Sequence, residues 1–293
     1  MSIVDFSDLT KHAAAQGYSL TLVNAPILAI AKGALQCAEG LDAPLLLTVH
    51  GRDLEDELLP SIELSARQAR VPVALIAKQI SSTEQATLAI RLGCNGLILA
   101  EGLAEDVKNS IRSTAASCCI PVIENNELSG TLHDDEPELQ KATLGAIEQT
   151  ESSWQEIRKK VAQATASHLK ELLVTGKADG KGQHALESCK HWHPVEHLII
   201  YNTTVDDSKS AELAAEGRRV LDQIPGVRAT WSGRAIKDDA GYQWCWLIRF
   251  AHPAVIDSYR EHPDHVKYAD TRFRPIAGDR ISIDYEITSA DES

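Results

Sequence analysis

Over residues 1–124, short apolar runs alternate with stretches whose apolar positions recur at helical spacing. The runs are Ser19–Asn24, Pro44–His50, Pro72–Ala77, Gly96–Ala100 and Ile120–Glu124, and the spacing predicts helices over Ile27–Glu39, Leu54–Arg70, Ser82–Leu92 and Ala104–Ser117. Strands that are apolar almost throughout are covered on both faces, as parallel strands flanked by helices must be. Several begin at or beside proline (Pro44, Pro72, Pro121), where a missing N–H costs the ladder least. This repeat predicts a right-handed parallel α/β sheet. After Glu124 the rhythm stops. Asn125–Pro137 is polar, Glu138–Leu173 is helical in character, and Thr175–Pro194 holds Gly176, Gly180 and Gly182 among polar residues and reads as a linker.

The last hundred residues follow a different pattern. Strands are predicted at His197–Thr203, Val227–Arg234, Tyr242–Phe250 and Arg280–Ile287, and helices at Asp207–Leu221 and Pro253–Glu261, the second continued by His265–Phe273. The order βαββαβ is the ferredoxin-like motif, with an antiparallel sheet on one side and helices on the other. One face of such a sheet is left for a partner. Tyr242, Trp244 and Trp246 alternate at period two and so share a sheet face, as pocket lining or as a dimer seam. The expected division is 1–174, a linker at 175–194, and 195–293.

Hydrophobic content of 43% against 24% charged residues suits a chain that buries real cores. A net charge of −13 argues against nucleic acid and anionic membrane as partners, because both need clustered Lys and Arg. The longest apolar runs fall far short of the roughly 20 residues a span requires. The start, MSIVDFSDLT, has neither the basic flank nor the apolar stretch of a signal peptide, and six irregularly spaced cysteines read as reduced thiols, so the expected location is cytoplasmic. His191, His193 and His197 suggest a metal cluster only weakly, since no carboxylate or Cys completes a set at familiar spacing.

The stretch Tyr259-Arg260-Glu261-His262-Pro263-Asp264-His265 follows Phe250-Ala251-His252-Pro253, and the unit opens on His197-Leu198-Ile199-Ile200. Together with Leu221–Val227 (LDQIPGV), this resembles the stress-responsive dimeric A/B barrel (Dabb) family over residues 195–287. The resemblance implies a ferredoxin-like protomer whose sheet meets that of a second copy. The family includes stress-induced proteins of unknown activity and a polyketide cyclase. In that cyclase a Tyr and a His of the same pattern act as the catalytic pair; by position these are Tyr259 and His265. An imidazole with a pKa near 6.5 accepts a proton at neutral pH, and a phenol holds a carbonyl oxygen as charge develops on it. His197, Tyr242, Trp244, Trp246 and His262 are the expected ligand contacts, around a cavity of about 300 Å³ or more. The bland alternative is that His-Pro-x-His caps a helix.

Residues 8–130 resemble the opening of class II, metal-dependent ketose-bisphosphate aldolases. The phrases that carry the likeness are Ala13–Asn24, Ala38–Leu47, Val71–Leu75 and Arg91–Leu99. That family is a (β/α)₈ barrel with chemistry at the carboxyl ends of its strands. Where the family carries an Asp-His pair after its third strand, this chain carries Lys78 and Gln79, which replace a carboxylate base and an imidazole ligand with a cation and an amide. Residues 131–190 are too few for three more βα units of about 30 residues each. Trp154–Leu173 resembles the family's final helix.

The expected molecule is therefore a homodimer of two-domain chains. A truncated, degenerate aldolase-like α/β partial barrel is joined to a ferredoxin-like α+β domain that mediates dimerisation through its sheet and holds a small, apolar, carbonyl-bearing ligand. If the chain is an enzyme, the resemblance implies cofactor-independent aldol or cyclase-type (lyase) chemistry, with no metal. The alternatives are a non-catalytic stress or assembly protein with a scaffold N-terminal domain, and a metal-dependent aldolase-like lyase.

Overall fold

The computed structural model describes residues 2–54, 57–124, 132–134, 141 and 153–287. The chain divides into two compact units, Met1–Ser113 with Ile120–Trp192, and His193–Ser293 with Thr114–Cys119. Among the described residues no helix is long and apolar enough to cross a membrane.

In the first unit, strands β1 (Leu20–Asn24), β2 (Leu45–His50), β3 (Val73–Ile80), β4 (Gly96–Leu99), β5 (Val122–Ile123) and β6 (Leu132–Asp134) form one sheet. Its order is β5-β4-β3-β2-β1-β6, and every neighbouring pair is parallel. The helices are α1 (Phe6–Gln16), α2 (Leu28–Leu41), α3 (Leu58–Arg67), α4 (Thr83–Arg91), α5 (Glu105–Ser117), α6 (Trp154–Thr175) and α7 (Gly182–Ser188). Local chemistry sets several ends. The Asp5 carboxylate accepts from the Asp8 amide and starts α1, Gly17 ends it at φ 68°, and the Ser82 hydroxyl accepts from the Gln85 amide to start α4. β1 is buried along its whole length and β2 along all but its last residue, the mark of strands covered on both faces.

Three features depart from the sequence pattern. Leu132–Asp134, inside the stretch read as polar and irregular, adds to the sheet beside β1 with Leu20 opposite Leu132. Three residues are too short for an alternation signal. The segment read as a linker carries α7, with Ala185 buried, and ends on Trp192, 2% exposed. It also anchors the amino terminus: the Asp5 amide donates to the Lys190 carbonyl at 2.7 Å and the Trp192 amide donates to Ile3 at 2.8 Å. α1, for which the apolar spacing gave no prediction, buries Phe6, Leu9 and Ala13. The apolar part of the 138–173 prediction corresponds to α6; residues 138–140 and 142–152 lie outside the described residues.

α2 and α6 lie close because Gly33 has no side chain: a Cβ there would overlap the Ala162 carbonyl. Replacing Gly33 with Ala is expected to destabilise this unit by about 1–3 kcal/mol, the usual range for overpacking, despite the better helix propensity of Ala. A thermal melt showing the Gly33→Ala protein as stable as wild type would contradict that packing.

The second unit runs β7 (Val195–Thr203), α8 (Asp207–Leu221), β8 (Val227–Arg234), β9 (Trp244–Phe250), α9 (Val255–Glu261), α10 (Pro263–Tyr268), a π turn (Ala269–Phe273) and β10 (Ala277–Glu286). Its sheet is antiparallel, in the order β10-β7-β9-β8. Register assigns the faces, because residues directly opposite one another share a face. Val195, His197, Ile199 and Tyr201 lie opposite Phe250, Ile248, Trp246 and Trp244, and those four β9 residues are buried. This is the face that packs on the helices: the Tyr268 ring is 6.4 Å from Trp246, and the Tyr259 ring is 4.8 Å from Phe250.

The opposite face is open. One row crosses all four strands as Trp231–Leu247–Leu198–Ile283, and the next as Gly233–Cys245–Ile200–Ile281. Trp231 is 45% exposed, and Ile281, Ile283 and Tyr285 are exposed as well. Trp244 and Trp246, read from the sequence as pocket lining or dimer seam, are therefore core residues of this unit and do not lie on the open face.

Candidate functional site

Between the helix-facing side of the sheet and the segment from α9 to the π turn lies a cleft of about 210 Å³. α9 supplies Ile256, Tyr259 and Arg260, α10 supplies His265, the following turn supplies Ala269, Phe273 and Arg274, and the sheet supplies His197, Ile199, Phe250, Arg280 and Ser282. A narrower apolar extension of about 30 Å³ shares Tyr259 and His265 and reaches Trp246, Ile248 and Tyr268.

The break between α9 and α10 brings Tyr259 and His265 together. His262 takes extended backbone, and its Nδ1 accepts from the Asp264 amide at 3.3 Å, which caps α10, while Pro263 occupies the first turn, where its missing N–H is harmless. The Tyr259 and His265 rings then sit 4.4 Å apart at 39°. His265 Nδ1 lies 2.9 Å from the Arg260 carbonyl. A carbonyl only accepts, so Nδ1 carries the proton, and in the neutral imidazole Nε2 is the basic atom.

Burial lowers the pKa of His265, with the Arg274 and His197 charges acting in the same direction against the Arg260 carbonyl and Asp270. Burial also pushes the Tyr259 phenol well above its ordinary value, so it stays a proton donor. His197 is held from below: its Nδ1 lies 2.6 Å from Asp284 Oδ1 and its Nε2 lies 3.4 Å from Ser282 Oγ. The Asp284 carboxylate accepts from Nδ1–H of His197, as the Arg260 carbonyl does from Nδ1–H of His265.

The sign of the His265 shift has a pH consequence. Its folded pKa is depressed, so the neutral form favours folding fully above pH 6.5, and that contribution is lost as pH falls toward the folded value. Any reaction that uses Nε2 as base is likewise expected to keep its rate below pH 6.5. An acid limb of the pH–rate profile at or above 6.5 would show that His265 is not the base.

The structure brings Tyr259, His265 and His197 to the cleft and Trp246 to its extension. It does not bring the other three. His262 is occupied as the cap of α10, Tyr242 precedes β9 in a half-exposed turn, and Trp244 lies opposite Tyr201; none of them lines the cleft or the extension. At 210 Å³ the cleft is also smaller than the expected 300 Å³. The sequence reading missed Arg260, Arg274, Arg280 and Asp284. For two of these a signal existed: Arg280, Ser282 and Asp284 alternate along β10, and that parity puts them on the His197 face.

Elsewhere, in the N-terminal unit, the described residues at the carboxyl ends of β1–β4 offer no donor set for the metal of the aldolase pattern. At the position of the family's carboxylate stands Lys78, 2% exposed, whose ammonium cannot ligate a cation, and among the described residues no group of three or more His, Cys, Asp or Glu is placed to hold a metal. His50 ends β2, paired in register with Lys78.

An antiparallel four-stranded sheet with helices on one side and a polar cleft beneath them defines a ferredoxin-like α+β domain. Residues 195–287 match the model of the Stress responsive A/B Barrel Domain (Dabb), and this part of the chain is such a domain. A Dabb family protein with a ferredoxin-like fold from Mesorhizobium loti is similar at 22% identity, over 33% of this chain and 98% of that one, with a TM-score of 0.31. The YdjI aldolase from Escherichia coli K12 is similar to the N-terminal parallel α/β part at 14% identity, over 61% of this chain and 99% of that one, with a TM-score of 0.41. A hydroxynitrile lyase from Passiflora edulis is similar at 14% identity, over 33% of this chain and 96% of that one, with a TM-score of 0.30. No curated protein matches the sequence.

Proposed function

We propose that the C-terminal domain dimerises through its open sheet face and performs proton-transfer chemistry of the aldol or cyclase type on a small carbonyl compound bound in the cleft, without a cofactor. The observation that carries the reading is the Tyr259–His265 pair. Its ring centres are 4.4 Å apart, it lines a cleft, and its imidazole proton is fixed away from the basic nitrogen. In this reading His265 Nε2 takes a proton from the carbon next to a carbonyl, and the Tyr259 hydroxyl donates to the oxygen that becomes an enolate. The new carbanion attacks a second carbonyl. A carbon–carbon bond forms, and the imidazolium returns its proton to the resulting alkoxide, so nothing is oxidised or reduced.

The test uses phenylacetone in D₂O with the full-length protein, following loss of its α-proton signals by NMR. Protein-dependent exchange supports the reading, and Tyr259→Phe is expected to slow it by about 10²–10³, the usual loss for one oxyanion donor. Exchange no faster than in buffer overturns it.

The second reading is a non-catalytic assembly protein whose N-terminal unit is a scaffold. It is favoured by the structural employment of two of these histidines: His262 caps α10, and His265 is tied to the Arg260 carbonyl.

A further inference from the structure

The charge of the cleft is out of keeping with the chain. Acidic residues exceed basic ones by 13 overall. Yet the twelve residues lining the cleft include three arginines and two histidines, and no Asp or Glu. Arg260 and Arg274 each have a local partner: Asp257 lies 3.3 Å from Arg260, and Asp270 pairs with Arg274. Arg280 does not. Among the described residues its guanidinium makes a single contact, from Nη1 to the carbonyl of Ala277 three residues back at 3.4 Å, and it takes part in no ion pair.

The cleft is also graded. Its inner extension is lined by Leu221, Trp246, Ile248 and Tyr268 together with residues of the cleft itself, whereas the Arg260 and Arg274 side chains are more than half exposed at its rim.

We propose that the ligand of this cleft is a small monoanionic carboxylate that also carries a carbonyl and an apolar tail. Its carboxylate is held by Arg280, its tail lies toward Trp246 and Ile248, and its carbonyl lies beside Tyr259 and His265. The inference deepens the acid–base reading and rests on it only for the position of the carbonyl. Guanidinium forks match carboxylate and phosphate alike. The count of unpartnered guanidinium groups chooses between them: Arg260 and Arg274 already face a carboxylate and Arg280 does not, and one fork suits a monoanion better than a dianion. Volume sets the size. Pockets for drug-sized ligands begin at about 300 Å³, and 210 Å³ admits something smaller. Arg280 is itself exposed, so an uncharged apolar ligand, as expected from the sequence, would leave its guanidinium to water and the Ala277 carbonyl.

The experiment is a calorimetric titration of the full-length protein at low salt with three phenyl-bearing probes: phenylpyruvate, its uncharged analogue phenylacetone, and phenyl phosphate as the dianion. A charge-assisted contact is worth about tenfold or more in affinity. Phenylpyruvate is expected to bind at least about tenfold more tightly than phenylacetone and more tightly than phenyl phosphate, with the advantage shrinking as salt rises. Arg280→Gln is expected to remove the advantage and leave phenylacetone binding unchanged, and Arg280→Lys to restore part of it. Because Arg280 lies on an edge strand and makes one long contact, the substitution leaves the fold intact, which circular dichroism checks.

Equal affinity for phenylpyruvate and phenylacetone overturns the proposal, as does an advantage that survives Arg280→Gln. Tighter binding of phenyl phosphate overturns the choice of a monoanion. The outcomes separate this inference from the proposed chemistry. Phenylpyruvate binding through Arg280 with no proton exchange leaves the anion site standing and the catalytic reading fallen, whereas exchange on phenylacetone with no preference for the acid does the reverse.

Discussion

Substituting Gln for His265 is expected to lower protein-dependent proton exchange by about 10²–10⁴, the contribution of a positioned general base, while the oligomeric state is unchanged. The substitution isolates basicity from structure. A Gln side-chain amide can donate to the Arg260 carbonyl as Nδ1–H does, so the turn between α9 and α10 keeps its bond. What disappears is the unprotonated nitrogen facing the cleft. The loss falls on kcat with little change in KM if the proton is taken only in the transition state. An exchange rate equal to wild type would remove His265 from the mechanism.

Introducing Asp at Leu247 is expected to abolish the proposed dimer. Leu247 sits in the middle of the row that runs from Trp231 to Ile283 across all four strands, on the face away from the helices. In a single protomer that side chain meets solvent, so a carboxylate there is tolerated. Against a second sheet it is an uncompensated buried charge, and the two-fold symmetry repeats it. At about 3–5 kcal/mol for each copy, the dissociation constant rises by at least about a thousandfold. Sedimentation at micromolar concentration reads the result. A Leu247→Asp protein that sediments like wild type would show that the open face is not the seam.

Much of the fold was legible because burial on both faces leaves an unmistakable trace. β1, β2, β3 and β4 read as continuous apolar runs, and α8 and β8 begin and end where Asp207, Leu221, Val227 and Arg234 predict. The misreadings have a common cause, which is that alternation names two faces without saying which is inside. β9 reads Trp-Cys-Trp-Leu-Ile-Arg-Phe, apolar on both faces, so the tryptophans could be placed on a seam as readily as in the core. On β10 the usual rule inverts. Ile281, Ile283 and Tyr285 point to the open face, while Arg280, Ser282 and Asp284 point beneath the helices, because there the inner side of the edge strand borders a cleft and not packed core. Tyr259 and His265 stand out through the resemblance of the Tyr259-to-His265 stretch to the Dabb pattern, since no spacing rule by itself joins a Tyr to a His six residues on. Of the arginines, Arg280 shares the parity of Ser282 and Asp284 along β10, whereas Arg260 and Arg274 come from other elements and only the fold gathers them.

The bonds from Asp5 to Lys190 and from Trp192 to Ile3 bear on how the N-terminal unit knits together. They join positions lying at opposite ends of that unit's sequence, and such distant pairings repay their loop-closure entropy late. The same segment also meets β3, where the Val4 amide donates to the Val73 carbonyl and the Val73 amide donates to the Ser2 carbonyl. The C-terminal unit closes its sheet between Val195 and Glu286 and so needs only shorter loops. Of the two units, the first is therefore expected to assemble more slowly.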